Sequence, residues 1–207
     1  DALPICVLDV IPRILAQFHQ ARPDVKIVLH NLTKDAQLQA LRERRITVGF
    51  NRLVPAAPDI STMTVLRESL MVALPAVHPL SVLPSLRIRD LANVPLILYP
   101  NVPMRGLAQE VSDAFHAEGV PLRVEQEVED VLTAVALVSA GFGMAVTTQS
   151  ASNLRLPGVA FRPLHSSQLK ELELSCLYRT DDRSRALQAF LEVVRSFADS
   201  HHPRAMG

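Results

Sequence analysis

Apolar residues recur at helical spacing in four stretches of the chain and crowd into short runs between them. Ile11, Ile14, Leu15 and Phe18 stand at i, i+3, i+4 and i+7, which lines one face of a helix. Leu107, Val111, Ala114 and Phe115 predict a second helix. Leu132, Val135, Ala136 and Ser139 predict a third, with Gly141 as its C-terminal stop. Leu187, Phe190, Leu191, Val194 and Phe197 predict the last, with Asp182 as its N-cap. A shorter helix is expected over residues 36–44. Branched apolar runs at 26–29, 46–50, 70–74, 96–98, 122–128, 144–147 and 172–177 read as strands. Short apolar strands alternating with helices predict an α/β fold whose sheets are parallel and covered on both faces.

Prolines then divide the chain. Pro75, Pro79 and Pro84 follow the 70–74 run, and Pro95, Pro100 and Pro103 punctuate what comes next. We read a change of domain there. The late run at 172–177 and the last helix read as a return, since one strand and one helix cannot form a core alone. The expected division is 1–74 plus 173–207 for one lobe and 75–172 for the other, with two crossings acting as a hinge beside a central ligand cleft.

Composition narrows the function. With 21 Lys+Arg against 21 Asp+Glu in 207 residues the formal charge is zero. A domain that gripped phosphate backbones by itself would be clearly basic. Cys6 and Cys176 could form one disulfide, but two buried thiols in a reducing compartment are the plainer reading. No basic-then-apolar leader and no run of 18 apolar residues is present, so no export signal or membrane span is expected. The chain begins at Asp1, which suits a piece of a longer protein. Neither G-x-S-x-G nor H-E-x-x-H occurs, and Gly141-Phe142-Gly143 falls between helix and strand, the wrong order for a dinucleotide loop. Histidines 19, 30, 78, 116 and 165 are dispersed and His201-His202 is expected in a loose tail, so neither a metal nor another cofactor is expected.

What remains is chemistry for a small anion. Helix N-termini offer unpaired backbone N–H groups and a favourable dipole, each worth about 0.3–1 kcal/mol when exposed. One is Thr33-Lys34-Asp35, and another is Pro103-Met104-Arg105-Gly106-Leu107. Arg52, just past a strand, can take a carboxylate in a bidentate grip. Gly106 would allow close backbone approach. Val128 and Thr148 are candidates for apolar and hydroxyl contacts. Each has a plainer reading: Thr33 as a helix cap, Arg52 as a surface salt-bridge partner, Lys34 and Arg105 as solvated. Glu125, Glu127 and Glu129 read as a solvated sheet face.

The stretches Val10-Ile11-Pro12-Arg13-Ile14-Leu15, Arg22-Pro23-Asp24, Ile46-Thr47-Val48-Gly49-Phe50, His78-Pro79-Leu80 and Ser139-Ala140-Gly141-Phe142-Gly143-Met144 resemble the effector-binding domain of LysR-type transcriptional regulators. The resemblance runs in order through nearly the whole chain. Residues 32–37 with Gly49-Phe50-Asn51-Arg52 resemble the branch governing aromatic-acid and chlorocatechol breakdown, whose effectors are muconates and benzoate-like acids. It implies two Rossmann-like lobes of the periplasmic-binding-protein type II kind, and two helix N-termini facing one acid between them. Arg52 matches an arginine that lines the family's effector pocket. The resemblance also implies a cytoplasmic homodimer or tetramer that reaches promoter DNA only through a winged helix-turn-helix head absent from this chain. RNA polymerase is a candidate partner, and no membrane is expected. The exposed side of the 11–18 helix is a candidate subunit contact. The match departs at Leu3-Pro4-Ile5-Cys6, where the family has a strand and a loop supplying a hydroxyl residue. Two rivals stay open: a solute-binding protein of a transporter and an enzyme on the same bilobed fold.

Overall fold

The computed structural model describes residues 10–100 and 105–201. Expectations resting on Leu3–Cys6, Pro103, Met104 or His202 lie outside them. The chain divides into two compact units: one takes residues 10–67 and 173–201, the other Glu68–Leu172.

In the first unit, helix α1 (Val10–Ala21) buries Val10, Ile11, Ile14 and Phe18. The last helix, α5 (Arg185–His201), buries Leu187, Phe190, Leu191, Val194 and Phe197, the stripe read from the sequence. Both pack on a sheet with the order β1 (Val48–Arg52), β9 (Leu172–Arg179), β2 (Ile60–Glu68). Phe190 makes edge-to-face contacts with Phe18 at 5.1 Å and Phe50 at 6.2 Å, an arrangement the ring quadrupoles favour. Helix α2 (Lys34–Arg42) meets β1 through Gln37, which lies against Gly49. Gly49 and Phe50 point to opposite sides of the strand, so α2 lies on the face opposite α1 and α5. Arg179 ties this layer together: its guanidinium donates to the Leu41 and Ile46 carbonyls at 3.2 and 3.5 Å and to the Asp182 carboxylate at 2.6 Å.

The second unit is built on a sheet of order β4 (Leu86–Arg87), β8 (Val159–His165), β3 (Leu70–Pro75), β7 (Ala145–Thr148). A second sheet pairs β5 (Pro95–Leu98) with β6 (Arg123–Glu127). The Met144 N–H donates to the Pro95 carbonyl at 2.9 Å and the Ile97 N–H to the Met144 carbonyl at 2.8 Å. No side chain fits at Gly143, because a Cβ would strike the Pro95 carbonyl oxygen. Helix α3 (Leu107–Ala117) buries Leu107, Val111, Ala114 and Phe115 as expected. Helix α4 (Val131–Ser139) completes the unit.

Several expectations are corrected. The sheets are mixed: β3 runs antiparallel to β7 and β8, whereas β4–β8 and β5–β6 are parallel. An unbroken apolar run reports burial on both faces, which a central antiparallel strand shares. Because β3 pairs with β7 and β8, the first crossing falls at Arg67/Glu68 rather than after Leu74. The 26–29 run forms no ladder with the described strands, and Val28 and Leu29 are exposed. Helix α4 buries Val131, Ala134, Val135 and Val138, one residue out of phase with the expected face. Its nearly all-apolar sequence left the phase undetermined, and Asp130, capping the Thr133 N–H at 2.8 Å, sets the start. Helix α5 begins after Ser184, whose hydroxyl accepts from the Leu187 N–H at 3.4 Å. Asp182 instead pairs with Arg179. His201 belongs to α5, its ring stacked on Phe197 at 4.0 Å. Cys176 is a buried free thiol.

Candidate functional site

Thr33 opens α2. Its extended backbone, φ −62° and ψ 163°, turns the hydroxyl oxygen to accept from the Ala36 N–H at 3.3 Å, while its carbonyl accepts from the Gln37 N–H at 2.8 Å. Capping leaves the hydroxyl hydrogen available as a donor. Lys34 follows in the first turn and is 7% exposed, unusual for a lysine. Its ammonium donates to the Leu53 carbonyl at 3.2 Å. Burial holds its pKa below the ordinary lysine value, with the Asp35 charge acting the other way. Leu53 has φ +50°, a left-handed conformation for a branched side chain, and it ends β1 by turning that carbonyl toward Lys34.

Arg52, the last residue of β1, is 6% exposed, which removes the surface salt-bridge reading. Its cross-strand neighbour is Leu174, a member of the α1/α5 core. Thr33, Lys34 and Arg52 thus come together at one corner of the first unit, where the end of β1 meets the start of α2. They arrive from different directions: alternation puts Arg52 with Phe50 on the α1/α5 face, and Asn51 with Gly49 on the α2 face.

Two buried groups here escaped the sequence reading. Asn51 is 1% exposed, and its Oδ1 accepts from the Arg52 N–H at 2.9 Å, which fixes the amide orientation. Its Nδ2 has no hydrogen-bond partner, and neither has Oε1 of Gln37, itself 3% exposed. An unmet buried donor or acceptor costs about 1–3 kcal/mol. An asparagine inside a strand is the signal that could have flagged the first.

The other candidates belong to the second unit. Gly106 is the N-cap of α3, buried, with φ −141°, so its backbone needs no special freedom. Its carbonyl accepts from the Gln109 and Glu110 N–H groups at 3.1 and 3.2 Å. Leu107 is buried in that first turn. Arg105 is exposed and lies along its own helix, pairing with Glu110 at 2.5 Å and Asp113 at 2.8 Å, which raise its pKa. Val128, half-buried, donates its N–H to the Leu98 carbonyl at 2.9 Å. Thr148 is buried at the end of β7, its hydroxyl 3.2 Å from that of Ser150. Among the described residues no group of three or more His, Cys, Asp or Glu could hold a metal, and no helix is long and apolar enough to cross a membrane. Glu125 and Glu127 are exposed on β6, as expected.

Comparison with known proteins agrees with this architecture. TcbR of Pseudomonas sp. (strain P51), an HTH-type transcriptional regulator, is 30% identical over 188 residues, which cover 91% of this chain and 64% of TcbR. The regulator BenM of Acinetobacter baylyi is 33% identical over 156 residues, covering 74% of this chain and 51% of BenM. The chain therefore spans less than two thirds of the length of these relatives. Among solved structures, the BenM effector-binding domain with its effector benzoate superposes with a TM-score of 0.85 at 28% identity, over 95% of this chain and 89% of that one. Full-length CbnR complexed with its target DNA gives 0.84 at 28% identity, over 93% and 67%. The fold is the α/β, two-lobed, type II periplasmic-binding-protein kind. The family model described as the LysR substrate binding domain matches residues 1–199, and the chain belongs to that family.

Proposed function

We propose that this chain is the effector-sensing part of a transcriptional regulator, and that it takes a small carboxylate of the benzoate or muconate kind at the Thr33–Lys34–Arg52 corner. The observation that carries the reading is Lys34: a lysine kept buried in the first turn of α2, at the end of the strand that carries a buried arginine. Two cations and a capped helix start offset a carboxylate and supply its donors. In the second unit we assign backbone donors to Gly106 and Leu107, an apolar contact to Val128 and a hydroxyl contact to Thr148. Arg105 pairs with Glu110 and Asp113, so a ligand contact from its guanidinium would compete with those two carboxylates. The wider reading is of a cytoplasmic homo-oligomer that is not an enzyme. It would reach DNA through a head beyond this chain, and RNA polymerase is a candidate partner of the whole regulator. A ligand with differential affinity for two conformations is all such a switch requires. The relatives are transcriptional regulators, which disfavours the transporter reading.

The test is calorimetric titration with benzoate and cis,cis-muconate, with glucose and glycine as contrasts. Wild type should bind one of the acids, and Arg52→Ala should lose about 1.5–3 kcal/mol, or roughly 10- to 150-fold in affinity. Because Arg52 is buried, its removal also opens a gap beside Leu174, so stability must be measured in parallel. Arg52→Lys, which keeps the charge and most of the bulk, should fold normally yet bind more weakly than wild type. Full affinity in a folded Arg52→Ala protein would remove this corner from the site.

A further inference from the structure

The second unit carries a cavity of about 430 Å³ lined by Arg87, Arg89, Glu118, His165, Ser166 and Ser167. Its floor follows from strand pairing. β4 and β8 run parallel with Leu86 opposite Leu164, both buried, and the next pair outward is Arg87 opposite His165. Both residues therefore stand at the carboxyl ends of adjacent parallel strands, the end at which open α/β sheets take ligands. Beyond β4 the chain enters a 3₁₀ turn, Ile88–Leu91, held by the Asp90 carboxylate accepting from the Arg87 N–H at 2.7 Å, and this turn presents Arg89. Beyond β8 the Ser166 hydroxyl oxygen accepts from the Gln168 and Leu169 N–H groups at 3.0 and 3.1 Å and donates to Glu118 Oε1 at 2.7 Å. The rim is thus fixed by hydrogen bonds on both sides.

Charge decides what this cavity suits. The Arg87 and Arg89 side chains make no ion pair with another described residue, although eight other arginines do. Against them stands one carboxylate, Glu118, with one oxygen already taken by Ser166. In a chain whose formal charge is zero, two unspent guanidinium groups around one cavity are a local surplus. The volume lies in the range of small-molecule sites, about 300–1,000 Å³. We infer that this cavity is a second binding site, for a small oxyanion of two or more charges, carboxylate or phosphate, gripped by Arg87 and Arg89. A monoanion such as benzoate is the poorer fit, because its single carboxylate cannot give each guanidinium an oxyanion group of its own. The site is separate from the Thr33–Lys34–Arg52 corner and does not depend on that assignment.

The probes are citrate and pyrophosphate, one for each oxyanion source, with benzoate as the monoanion arm. Titration of the chain at low ionic strength should show saturable binding of at least one probe, weakened by added salt because exposed charges are screened. Arg87→Gln/Arg89→Gln should weaken that probe at least tenfold and leave the thermal midpoint and benzoate binding unchanged. Arg52→Ala should leave probe affinity unchanged. Probe binding that survives the double variant, that is lost in Arg52→Ala, or that is absent from wild type overturns the inference.

Discussion

Gly49→Ala tests whether the sheet face under α2 is packed as described. A methyl group added at Gly49 would sit 2.6 Å from Oε1, 2.7 Å from Cδ and 2.9 Å from Cγ of Gln37. A contact with the amide end could be relieved by rotation, but one with Cγ lies near the root of the side chain. Gln37 is buried, and its helix is anchored at both ends, by Lys34 on the Leu53 carbonyl and by Arg179 on the Leu41 carbonyl. Overpacking of this kind costs about 1–3 kcal/mol. Against it, alanine in a strand gains about 0.5–1 kcal/mol over glycine from the unfolded chain, so the middle of the two ranges leaves a net loss of about 1 kcal/mol. At roughly 2–4 °C per kcal/mol for a chain of this size, the thermal midpoint should fall by about 2–4 °C. Urea unfolding should show a lower midpoint at unchanged slope. Gly49→Ala/Gln37→Ala should recover stability relative to the sum of the single changes, because the two side chains compete for one space. A Gly49→Ala protein as stable as wild type, or additive single changes, would show that Gln37 does not cover Gly49.

The remaining predictions use the same assays. Gly143→Ala should be more damaging than Gly49→Ala, because the added methyl meets the Pro95 carbonyl, a backbone atom inside the β5–β7 connection, rather than a side chain; equal midpoints would contradict that packing. Thr33→Ala should cost about 1 kcal/mol by loss of the cap while Thr33→Ser stays near wild type; two equal variants would show that the hydroxyl does not cap α2. Burial alone would raise the Asp182 carboxyl, but hydrogen bonds from Ser184 and the charges of Arg179 and Arg44 outweigh it and hold it below the usual carboxylate range. A folded-state pKa below the unfolded one gives stability present above about pH 4 and lost as the pH falls further. Asp182→Asn should therefore be less stable at neutral pH and show a shallower acid loss, whereas an unchanged pH profile would refute the pairing.

The helices were the most legible part of the sequence, because their faces mix polar and apolar residues. The α3 and α5 stripes were read residue for residue, and only α4, apolar almost all round, was read out of phase. Strands were legible where they were buried on both sides, as at Leu70–Pro75. β2 was missed because its Ser61, Thr62, Thr64 and Arg67 dilute the apolar signal, although threonine is a good strand former. β8 was missed because Pro163 interrupts it. Strand direction was not legible at all, since an apolar run carries no information about its neighbours' polarity.

The candidate site was legible as a list of residues but not as a geometry, and the alternation of β1 explains why. Thr33 and Lys34 could be read as a helix start and Arg52 as a strand end without knowing which face either occupied. The fold puts Lys34 on the α2 side and Arg52 on the α1/α5 side of one strand, so neither can follow a ligand onto the other's face. An acid held by both would have to sit beyond the strand's end, near Leu53, where the ladder stops and the two faces meet. That placement separates the roles of neighbours. Arg52 and Lys34 would act on charge, whereas Asn51, one step back on the α2 face with its Nδ2 unmet, would act on the shape and hydrogen bonding of what enters. Replacing Asn51 by leucine removes that unmet donor, and with it the acceptor that the Arg52 N–H now uses. The change in stability is then the difference between the two, and because the lost acceptor holds the backbone of Arg52, a fall in affinity for an acid would report both losses.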